Sequence, residues 1–349
     1  MVAAAAVALI AHPAAPSSST SSGSSKPWIG VKGNKLVDRS GDPVRLLGVN
    51  RPGLEYECVE GKGFFDGPTD PAAIAVMKRW HINVVRVPLN ESCWLGQEWL
   101  EDNLSRGAYR EAVHGFVERL EQAGLYVILD LQWSAPGNNL ATGIIPMPSE
   151  HAPQFWREVA SEYVNDRSVI FDLYNEPHDI DWACWASGCE VSDKYFGTYR
   201  TVGMSELVEA VRSTGARQPI MLGGLEWARD LSGWLEYRPP DPAHALVASN
   251  HTYETPDPCY GACRAAIKRT SKVVPVVTGE IGEDDCNHSY ISDYMRWADR
   301  NDISYLGWAW YLKSECKPSL IENYAGKPTT LGLGLREHLR FLHSSRGSH

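Results

Sequence analysis

The chain has 349 residues, 43% of them hydrophobic, and a formal net charge of −10 at pH 7. This charge would repel a phosphate backbone, so we expect no nucleic-acid partner. The apolar share provides a large core, and the length suits one α/β barrel of about 250 residues with extended loops.

The first 25 residues differ in composition from the rest. Residues 2–11 form an apolar run that lacks the basic start of a signal peptide and is too short to span a bilayer. Residues 16–25 are almost all Ser, Thr and Gly, which is typical of a linker. We therefore expect a signal-peptide remnant and disordered linker at 1–25, one folded domain at 26–343 and a tail at 344–349. The protein is expected to be secreted and monomeric, with no membrane partner.

Eight short apolar, β-branched runs are predicted to be strands. They cover residues 44–49, 83–87, 126–131, 169–174, 219–222, 245–249, 273–278 and 303–310. Continuous apolar runs such as 126–129 are typical of strands that are buried on both faces.

Amphipathic stretches between these runs are predicted to be helices, of which the clearest are 71–80, 109–123, 154–163, 192–213, 290–301 and 333–342. Asp70 is a good N-cap for the first of them, and Gly124 suits the end of the second. Strands that alternate with helices predict a parallel sheet, and eight such units predict closure into a (β/α)8, or TIM, barrel. An open, doubly wound sheet is the alternative, although no Gly-x-Gly-x-x-Gly follows the first strand.

Eight cysteines without a Cys-x-x-Cys pair favour disulfides over zinc, and hence an oxidising compartment. Eight cysteines allow 105 pairings, so spacing alone leaves the connectivity open. The pairs we favour are Cys184–Cys189, Cys259–Cys263, Cys58–Cys93 and Cys286–Cys316.

Polar and aromatic residues stand at the carboxyl ends of the predicted strands, where barrels carry their working residues. They are Asn50, Arg86, Gln132, Trp133, Asn175, Glu176, His251, Tyr253, Glu280 and Trp308. Glu176 and Glu280 end strands four and seven, which lie nearly opposite each other in a closed barrel. Cleavage of a glycosidic bond needs such a pair, with one carboxyl group protonated and the other ionised.

The segment Tyr174-Asn175-Glu176-Pro177 resembles the strand-four signature of glycoside hydrolase family 5, a family of barrel glycosidases. Further matches follow in order along residues 28–342: Gly48-Val49-Asn50, Val85-Arg86-Val87-Pro88, Asp130-Leu131-Gln132-Trp133, His251-Thr252-Tyr253, Gly279-Glu280 and Gly307-Trp308. Seven ordered matches are more specific than Asn-Glu-Pro alone.

The resemblance implies hydrolysis by double displacement with retention of configuration, without a metal or cofactor. It makes Glu280 the nucleophile and Glu176 the acid/base. It also implies supporting or substrate-binding roles for Arg86, Asn175, His251, Tyr253, Trp308, Gln132, Trp133 and Asn50. Gln132 is a departure, since many members have histidine there; Gln cannot titrate, which affects the substrate assignment.

The expected partner is an oligosaccharide, a polysaccharide or a glycoside. The resemblance suggests an endo-β-1,4-glucanase as the default activity. The long loops 51–69, 134–151, 177–191 and 313–329 leave open an exo-acting enzyme: a β-glucosidase, a diglycosidase, an arabinofuranosidase or a galactofuranosidase. A non-catalytic carbohydrate-binding barrel is the alternative of another class, and the presence of both glutamates speaks against it.

Overall fold

The computed structural model describes residues 1–3, 26–96, 105–254, 260–313 and 318–346, and eight of its strands form a parallel barrel. The strands are β1 (Gly30–Lys32), β2 (Lys35–Val37), β3 (Leu47–Asn50), β4 (Val84–Asn90), β5 (Tyr126–Trp133), β6 (Val169–Asp172), β7 (Glu190–Asp193), β8 (Gly197–Arg200), β9 (Ile220–Gly223), β10 (Leu246–Tyr253), β11 (Val276–Gly282) and β12 (Ser304–Gly307). The order around the barrel is β3-β4-β5-β6-β9-β10-β11-β12.

Helices occupy most of the connections between barrel strands. They are α1 (Pro71–Lys78), α2 (Glu91–Leu95), α3 (Arg106–Gln122), α4 (Ala152–Glu162), α5 (Trp182–Ser187), α6 (Met204–Arg212), α7 (Leu225–Ala228), α8 (Trp234–Tyr237), α9 (Tyr260–Thr270), α10 (Ser289–Asp299) and α11 (Thr330–Arg346). Across the ranges that the structure describes, no helix combines the length and the apolar character needed to cross a bilayer.

The predicted barrel is confirmed. All eight predicted strands overlap a barrel strand, and the sheet closes because β12 pairs with β3, with Tyr305 opposite Leu47. The open, doubly wound alternative is therefore wrong. Closure brings the carboxyl ends of all eight strands to one face, where the candidate residues were expected.

The interior of the barrel is filled by one apolar side chain from almost every strand. These residues are Val84, Ile128, Ile170, Met221, Val247, Val277 and Leu306, all fully buried. The antiparallel hairpin β1–β2, which the sequence did not predict, adds Ile29 and Leu36 to this cluster. Burial of each such side chain contributes about 1.5–3 kcal/mol, so the hairpin acts as a plug rather than a loose extension.

Local capping explains where two of the outer helices begin and end. The Asp70 side chain accepts the backbone N–H groups of Ala72 and Ala73, and Pro71 occupies the first turn of α1, where no N–H is needed. After α3 the chain turns at Gly124, whose φ of +78° favours glycine. Both predicted signals are confirmed.

The predicted helix over residues 192–213 is wrong in its first half. That part forms the hairpin β7–β8, and only α6 is helical. Val191 pairs with Tyr199 on the inward face of the hairpin. Exposure along β7 alternates every second residue, as in a strand, and does not follow the 3.6-residue period of a helix. The Asp193 side chain accepts two backbone N–H groups of the turn, and Gly197 takes a φ of +72°. This turn chemistry outweighed helix propensity.

Two predicted disulfides are confirmed, Cys58–Cys93 and Cys184–Cys189. The first ties the loop after β3 to α2, and the second closes the chain between α5 and β7. Cys263 and Cys286 are also disulfide-bonded. Their predicted partners, Cys259 and Cys316, lie outside the described residues, as do most of segment 1–25 and the last residues of the predicted tail. Helix α11 continues to Arg346.

Candidate active site

The predicted site residues converge at the carboxyl face of the barrel. β3, β4, β5, β10 and β11 carry Asn50, Arg86, Gln132, Trp133, His251, Tyr253 and Glu280, while Asn175 and Glu176 follow β6 and Trp308 follows β12. Residues from seven of the eight barrel strands thus meet at one end of the molecule.

Arg86 is fully buried at the centre of this group. Its guanidinium contacts five side chains at N···O distances of 2.9 to 3.0 Å: Asn50, Asp130, Asp172, Asn175 and Glu280. Burial lowers the pKa of Arg86, but its three acidic neighbours raise it above the usual value, so the group is a permanent cation. One cation facing three carboxyl groups holds the strands in register and orients Glu280.

Glu280 is buried, with a hydrogen-bond donor on each carboxylate oxygen. Arg86 Nη1 donates to Oε1 at 3.0 Å, and the Tyr253 hydroxyl donates to Oε2. Burial raises the pKa of Glu280, while Arg86 and Tyr253 oppose that shift by stabilising the ionised form. Gly279 is needed beside it because a Cβ there would lie 2.9 Å from His251 Nε2.

Glu176 has a different environment, and its side chain remains 14% exposed. Burial raises its pKa to about 7, against the opposing effects of Arg86 and His178. Glu176 therefore titrates near neutral pH. A carboxyl group that is protonated near pH 7 and reached by solvent is suited to act as a general acid.

His251 lies between the two glutamates. Its Nδ1 is 2.9 Å from Glu176 Oε1 and 3.7 Å from Glu280 Oε2. Burial lowers the pKa of His251 to about 4, so the ring is neutral at pH 7. One oxygen of each glutamate and one ring nitrogen lie within 4.8 Å of one another. The two carboxyl groups are thus close enough to act on a single bond.

Two amide side chains of the site have unused polar atoms. Asn175 Nδ2 and Gln132 Oε1 are buried without a hydrogen-bond partner in the part of the chain that the structure describes. Such atoms are uncommon, and they suit hydroxyl groups of a ligand. Asn50 has a structural role instead, because its Nδ2 donates to the Gly279 carbonyl at 2.8 Å.

Aromatic residues divide into a surface group and a core group. Trp133 and Trp308 are half-buried at the carboxyl face, where they can contact a ligand. Trp94 and Trp185 are fully buried in the core. Trp185 donates its Nε1–H to the Gly223 carbonyl at 2.8 Å, which is a packing role.

Asp172 was not among the predicted site residues. This residue lies in β6 and accepts a hydrogen bond from Arg86 Nε at 2.9 Å. The available signal was an acidic residue within a strand predicted to be buried on both faces, since such a charge requires a cationic partner.

A cavity of about 1600 Å³ borders His178, two residues after Glu176. It is lined by residues of the loops after β5, β6 and β9, and His178 is one of them. The Nδ1 of His178 is 2.9 Å from the Glu176 carbonyl oxygen, and the Trp227 N–H donates to the Pro177 carbonyl at 3.0 Å. The cavity is thus linked to the Glu176 backbone through His178, and neither Glu176 nor Glu280 is among the residues that line it.

Trp227 projects into this cavity from an unusual turn. Element α7 is not a regular helix, because Glu226, Trp227 and Ala228 have φ values of 54°, 60° and 58°. Left-handed backbone costs about 1–2 kcal/mol for each such residue. The turn holds the Trp227 ring stacked on His178, with centroids 3.7 Å apart and planes 9° from parallel, while Trp227 stays 41% exposed.

Two groups of acidic and imidazole side chains have the spacing to hold a metal ion, within the residues that the structure covers. One is the set Glu176, His251 and Glu280 already described, and the other comprises Glu254, Glu283 and Asp285. In the first group, His251 is hydrogen-bonded to Glu176, and Glu280 is hydrogen-bonded to Arg86 and Tyr253. A reaction without metal or cofactor stays a prediction from the sequence.

Comparison with known proteins gives a family match over most of the chain. The family model "Cellulase (glycosyl hydrolase family 5)" matches residues 37–314. Endoglucanase E-5 of Thermobifida fusca is 24% identical over 295 residues, covering 80% of this chain and 54% of that protein. An endoglucanase of Clostridium saccharobutylicum is 23% identical over 314 residues, covering 86% and 60%. The chain thus spans little more than half the length of these curated relatives.

Solved structures share the fold. A β-glucanase from Saccharophagus degradans, in complex with cellotetraose, superposes with a TM-score of 0.69 at 18% identity, covering 95% of this chain and 98% of that one. The catalytic domain of the major endoglucanase from Xanthomonas campestris pv. campestris superposes with a TM-score of 0.68 at 17% identity, covering 89% and 99%. At this identity the superpositions establish the barrel alone.

Proposed function

The chain belongs to glycosyl hydrolase family 5, and on that premise we propose that it hydrolyses β-glycosidic bonds with retention of configuration. The observation that carries the proposal is the spacing of the glutamates, whose nearest oxygens lie within 4.8 Å of each other. Retaining pairs have carboxyl groups about 5–5.5 Å apart, whereas inverting pairs leave about 6.5–9.5 Å for a water molecule.

In the first step, Glu280 attacks the anomeric carbon and Glu176 gives its proton to the departing oxygen. The electron pair of the broken C–O bond stays with the leaving group, which departs as an alcohol. Arg86 and Tyr253 stabilise the ionised form of Glu280 and orient it before attack. The unused Nδ2 donor of Asn175 is available for a sugar hydroxyl in the same pocket.

In the second step, water cleaves the glycosyl–Glu280 ester. Esterification removes the negative charge of Glu280, which lowers the pKa of its neighbour Glu176 and leaves it ionised. Glu176 then takes a proton from the attacking water, so the same residue is acid first and base second. The two inversions together retain the configuration at the anomeric carbon.

For the substrate, we propose a β-linked glucan and endo action, because the curated relatives are named endoglucanases. One feature favours an exo-acting enzyme as the second candidate. The loop after β3 folds inward over β4, where Asn90 Nδ2 donates to the Glu55 carbonyl at 2.7 Å, and Cys58–Cys93 fixes it there. A loop fixed in this way can close the end of a cleft opposite the cavity that borders His178.

Export from the cell is part of the proposal. Disulfides persist in oxidising compartments and are rare in the reducing cytosol, so Cys58–Cys93 and Cys184–Cys189 support a secreted protein. Mass spectrometry of the natural secreted fraction, with and without reduction, tests this point.

The function is tested on a substrate panel of carboxymethylcellulose, mannan and aryl glycosides, with wild type, Glu176→Ala and Glu280→Gln side by side. Rapid loss of viscosity on a polymer supports endo action, and release from aryl glycosides alone supports exo action. Equal turnover by wild type and Glu280→Gln would refute the mechanism. Wild-type binding without any turnover would instead favour a non-catalytic carbohydrate-binding barrel.

Stereochemistry is tested by proton NMR of the first product formed. Retention predicts that the β-anomer appears before mutarotation. Azide added to Glu176→Ala should rescue turnover and give the β-glycosyl azide, since azide replaces water at the ester. An α-configured first product would refute double displacement.

A further inference from the structure

We propose that Glu254, Glu283 and Asp285 form a binding site for one calcium ion at the carboxyl ends of β10 and β11. The inference does not depend on the proposed reaction, in which none of the three residues has a part. Three observations carry it: the strand register that brings the carboxylates together, a buried oxygen of Glu283 without a partner, and the acidic surroundings of the group.

Strands β10 and β11 end at the same level of the barrel. They run parallel, with Tyr253 opposite Gly282. The next residue along each strand is a glutamate, Glu254 on one and Glu283 on the other. One oxygen of each lies within 4.8 Å of the other and of an oxygen of Asp285. Like charges placed opposite each other on neighbouring strands are destabilising, so this arrangement needs a compensating charge.

Glu283 is the buried member of the group, with only 2% of its surface exposed. Its Oε1 accepts the backbone N–H of Ile291, in the first turn of α10, at 2.7 Å. Its Oε2 is buried and has no hydrogen-bond partner among the described residues. A buried carboxylate oxygen without a partner is uncommon and unfavourable. Oε2 is therefore the oxygen that a bound cation would satisfy.

The charges that act most strongly on Glu283 are negative. Burial raises the pKa of Glu283 to about 7, the Ile291 N–H opposes this shift, and Asp285 and Glu254 add to it. The pKa of Glu254 is raised as well, by burial and by the neighbouring acids Asp285 and Asp284. The group thus lacks the positive neighbour that Arg86 provides for Glu280.

The cations of the neighbouring elements contact other groups. Arg229 acts on Glu176, Arg264 pairs with an aspartate of α10 at 2.9 Å, and the Lys313 ammonium lies over the Tyr311 ring. In the part of the chain that the structure describes, no ion pair reaches any of the three carboxylates. A cation from solution can therefore supply the missing charge.

The donor atoms of the group indicate the class of cation. Carboxylate oxygens without an imidazole or a thiolate suit hard cations better than zinc or copper. Two oxygens that bind the same calcium ion at about 2.4 Å lie at most about 4.8 Å apart, a limit that the three oxygens meet. Magnesium usually takes one or two carboxylates and keeps several waters, so three carboxylates favour calcium. Water molecules and second carboxylate oxygens would complete its six to eight ligands.

Two of the three ligands are held in place by the protein itself. Glu283 is fixed by α10, as described above. Asp285 Oδ1 accepts the Asn287 backbone N–H at 2.9 Å, and its Oδ2 accepts the Asn287 side-chain amide at 3.0 Å. Cys286, between them in the chain, is disulfide-bonded. Only the exposed Glu254 side chain would need to be ordered when the ion binds.

The site adjoins the residue that donates to Glu280. Tyr253, whose hydroxyl makes that hydrogen bond, directly precedes Glu254. A Cβ on Gly282 would lie 2.5 Å from Tyr253 Cε1, so the Tyr253 ring packs closely against the end of β11. An ion that joins the two strand ends would therefore stabilise the fold around this ring, and its role is structural.

The test is isothermal titration calorimetry of calcium into the full chain at pH 8, after treatment with EGTA. We expect one ion per chain with a Kd of about 0.1 to 1 mM, the range of extracellular calcium modules. Asp285→Asn removes a ligand and should raise the Kd at least roughly tenfold. The matched control Asp284→Asn removes the same charge from the same loop without removing a ligand, and should change the Kd less than about threefold.

Thermal unfolding provides a second readout. Calcium at about 10 mM should raise the Tm of wild type and of Asp284→Asn by roughly 2 to 5 °C. The double variant Glu254→Gln/Asp285→Asn should show no such rise, and because both residues are exposed it should fold normally. Three results would each overturn the inference: no binding of calcium to wild type, equal affinity in wild type and Asp285→Asn, or an equal effect of magnesium.

Discussion

Replacing Glu176 by Gln should stabilise the protein at alkaline pH while it removes the proposed catalytic acid. The reason is that burial raises the pKa of Glu176 from 4.5 to about 7, so the ionised form is unfavourable in the folded state. At about 1.4 kcal/mol for each pH unit, this difference corresponds to about 3 kcal/mol. The figure is an upper one, because 14% of the side chain remains exposed and solvent screens part of the effect.

The direction with pH follows from proton binding. Between pH 4.5 and about 7 the folded protein keeps a proton on Glu176 that the unfolded chain has released, so stability falls as the pH rises through this window. Below the window both states are protonated, and Gln brings little gain. Above it Gln avoids the whole penalty, and its amide oxygen can still accept a hydrogen bond from His251.

The assay is thermal unfolding of wild type, Glu176→Gln and the exposed control Glu111→Gln, each at pH 4.5 and pH 8. For a chain of this size we expect the Tm of Glu176→Gln to rise by roughly 4 to 5 °C at pH 8 and by about 1 °C or less at pH 4.5. The control should show no such difference. An equal change at both pH values, or a lower Tm at pH 8, would refute the reasoning.

Three further predictions concern the same group of residues. The kcat/KM of wild type should fall as the pH rises through about 7, and this limb should vanish in Glu176→Gln assayed on a dinitrophenyl glycoside, whose leaving group needs no acid. Tyr253→Phe removes one of the two donors to Glu280 and should lower kcat by roughly ten- to a hundredfold at unchanged Tm; a twofold change in steady-state kinetics would contradict it. Arg86→Met leaves buried acids without their cation and should lower the free energy of unfolding by about 3–5 kcal/mol, which urea titration measures; a loss under about 1 kcal/mol would argue against the role of Arg86.

The barrel was predictable because its signals are local and repeated. Each strand is a short apolar run, and each ends in a polar residue that parallel closure carries to the same face. Glu176 and Glu280 could therefore be paired across 104 residues of sequence without knowledge of their distance. The Ser-rich segment and the lengths of the loops, in contrast, did not predict which substrate the site binds.

The features that were not predicted depend on contacts between residues that local sequence patterns do not reveal. The hairpin β7–β8 was predicted as helix because its strands are only four residues long, and a side-chain turn at Asp193 decided the outcome. The role of Asp172 was not predicted, because its partner Arg86 is 86 residues away in the sequence. The left-handed turn at Trp227 contains no glycine, so its residue types do not predict a positive φ.

The reach of Arg86 has a consequence for how such a chain can change. Its guanidinium links β3, β5, β6 and β11 to its own strand β4, so the reactive centre depends on the barrel scaffold and not on the loops above it. Segments such as the hairpin β7–β8 can therefore be exchanged, lengthened or deleted while the chemistry stays intact. Diversification and engineering of this chain are therefore modular, because new binding surfaces can be added at the rim without changing the residues around Arg86.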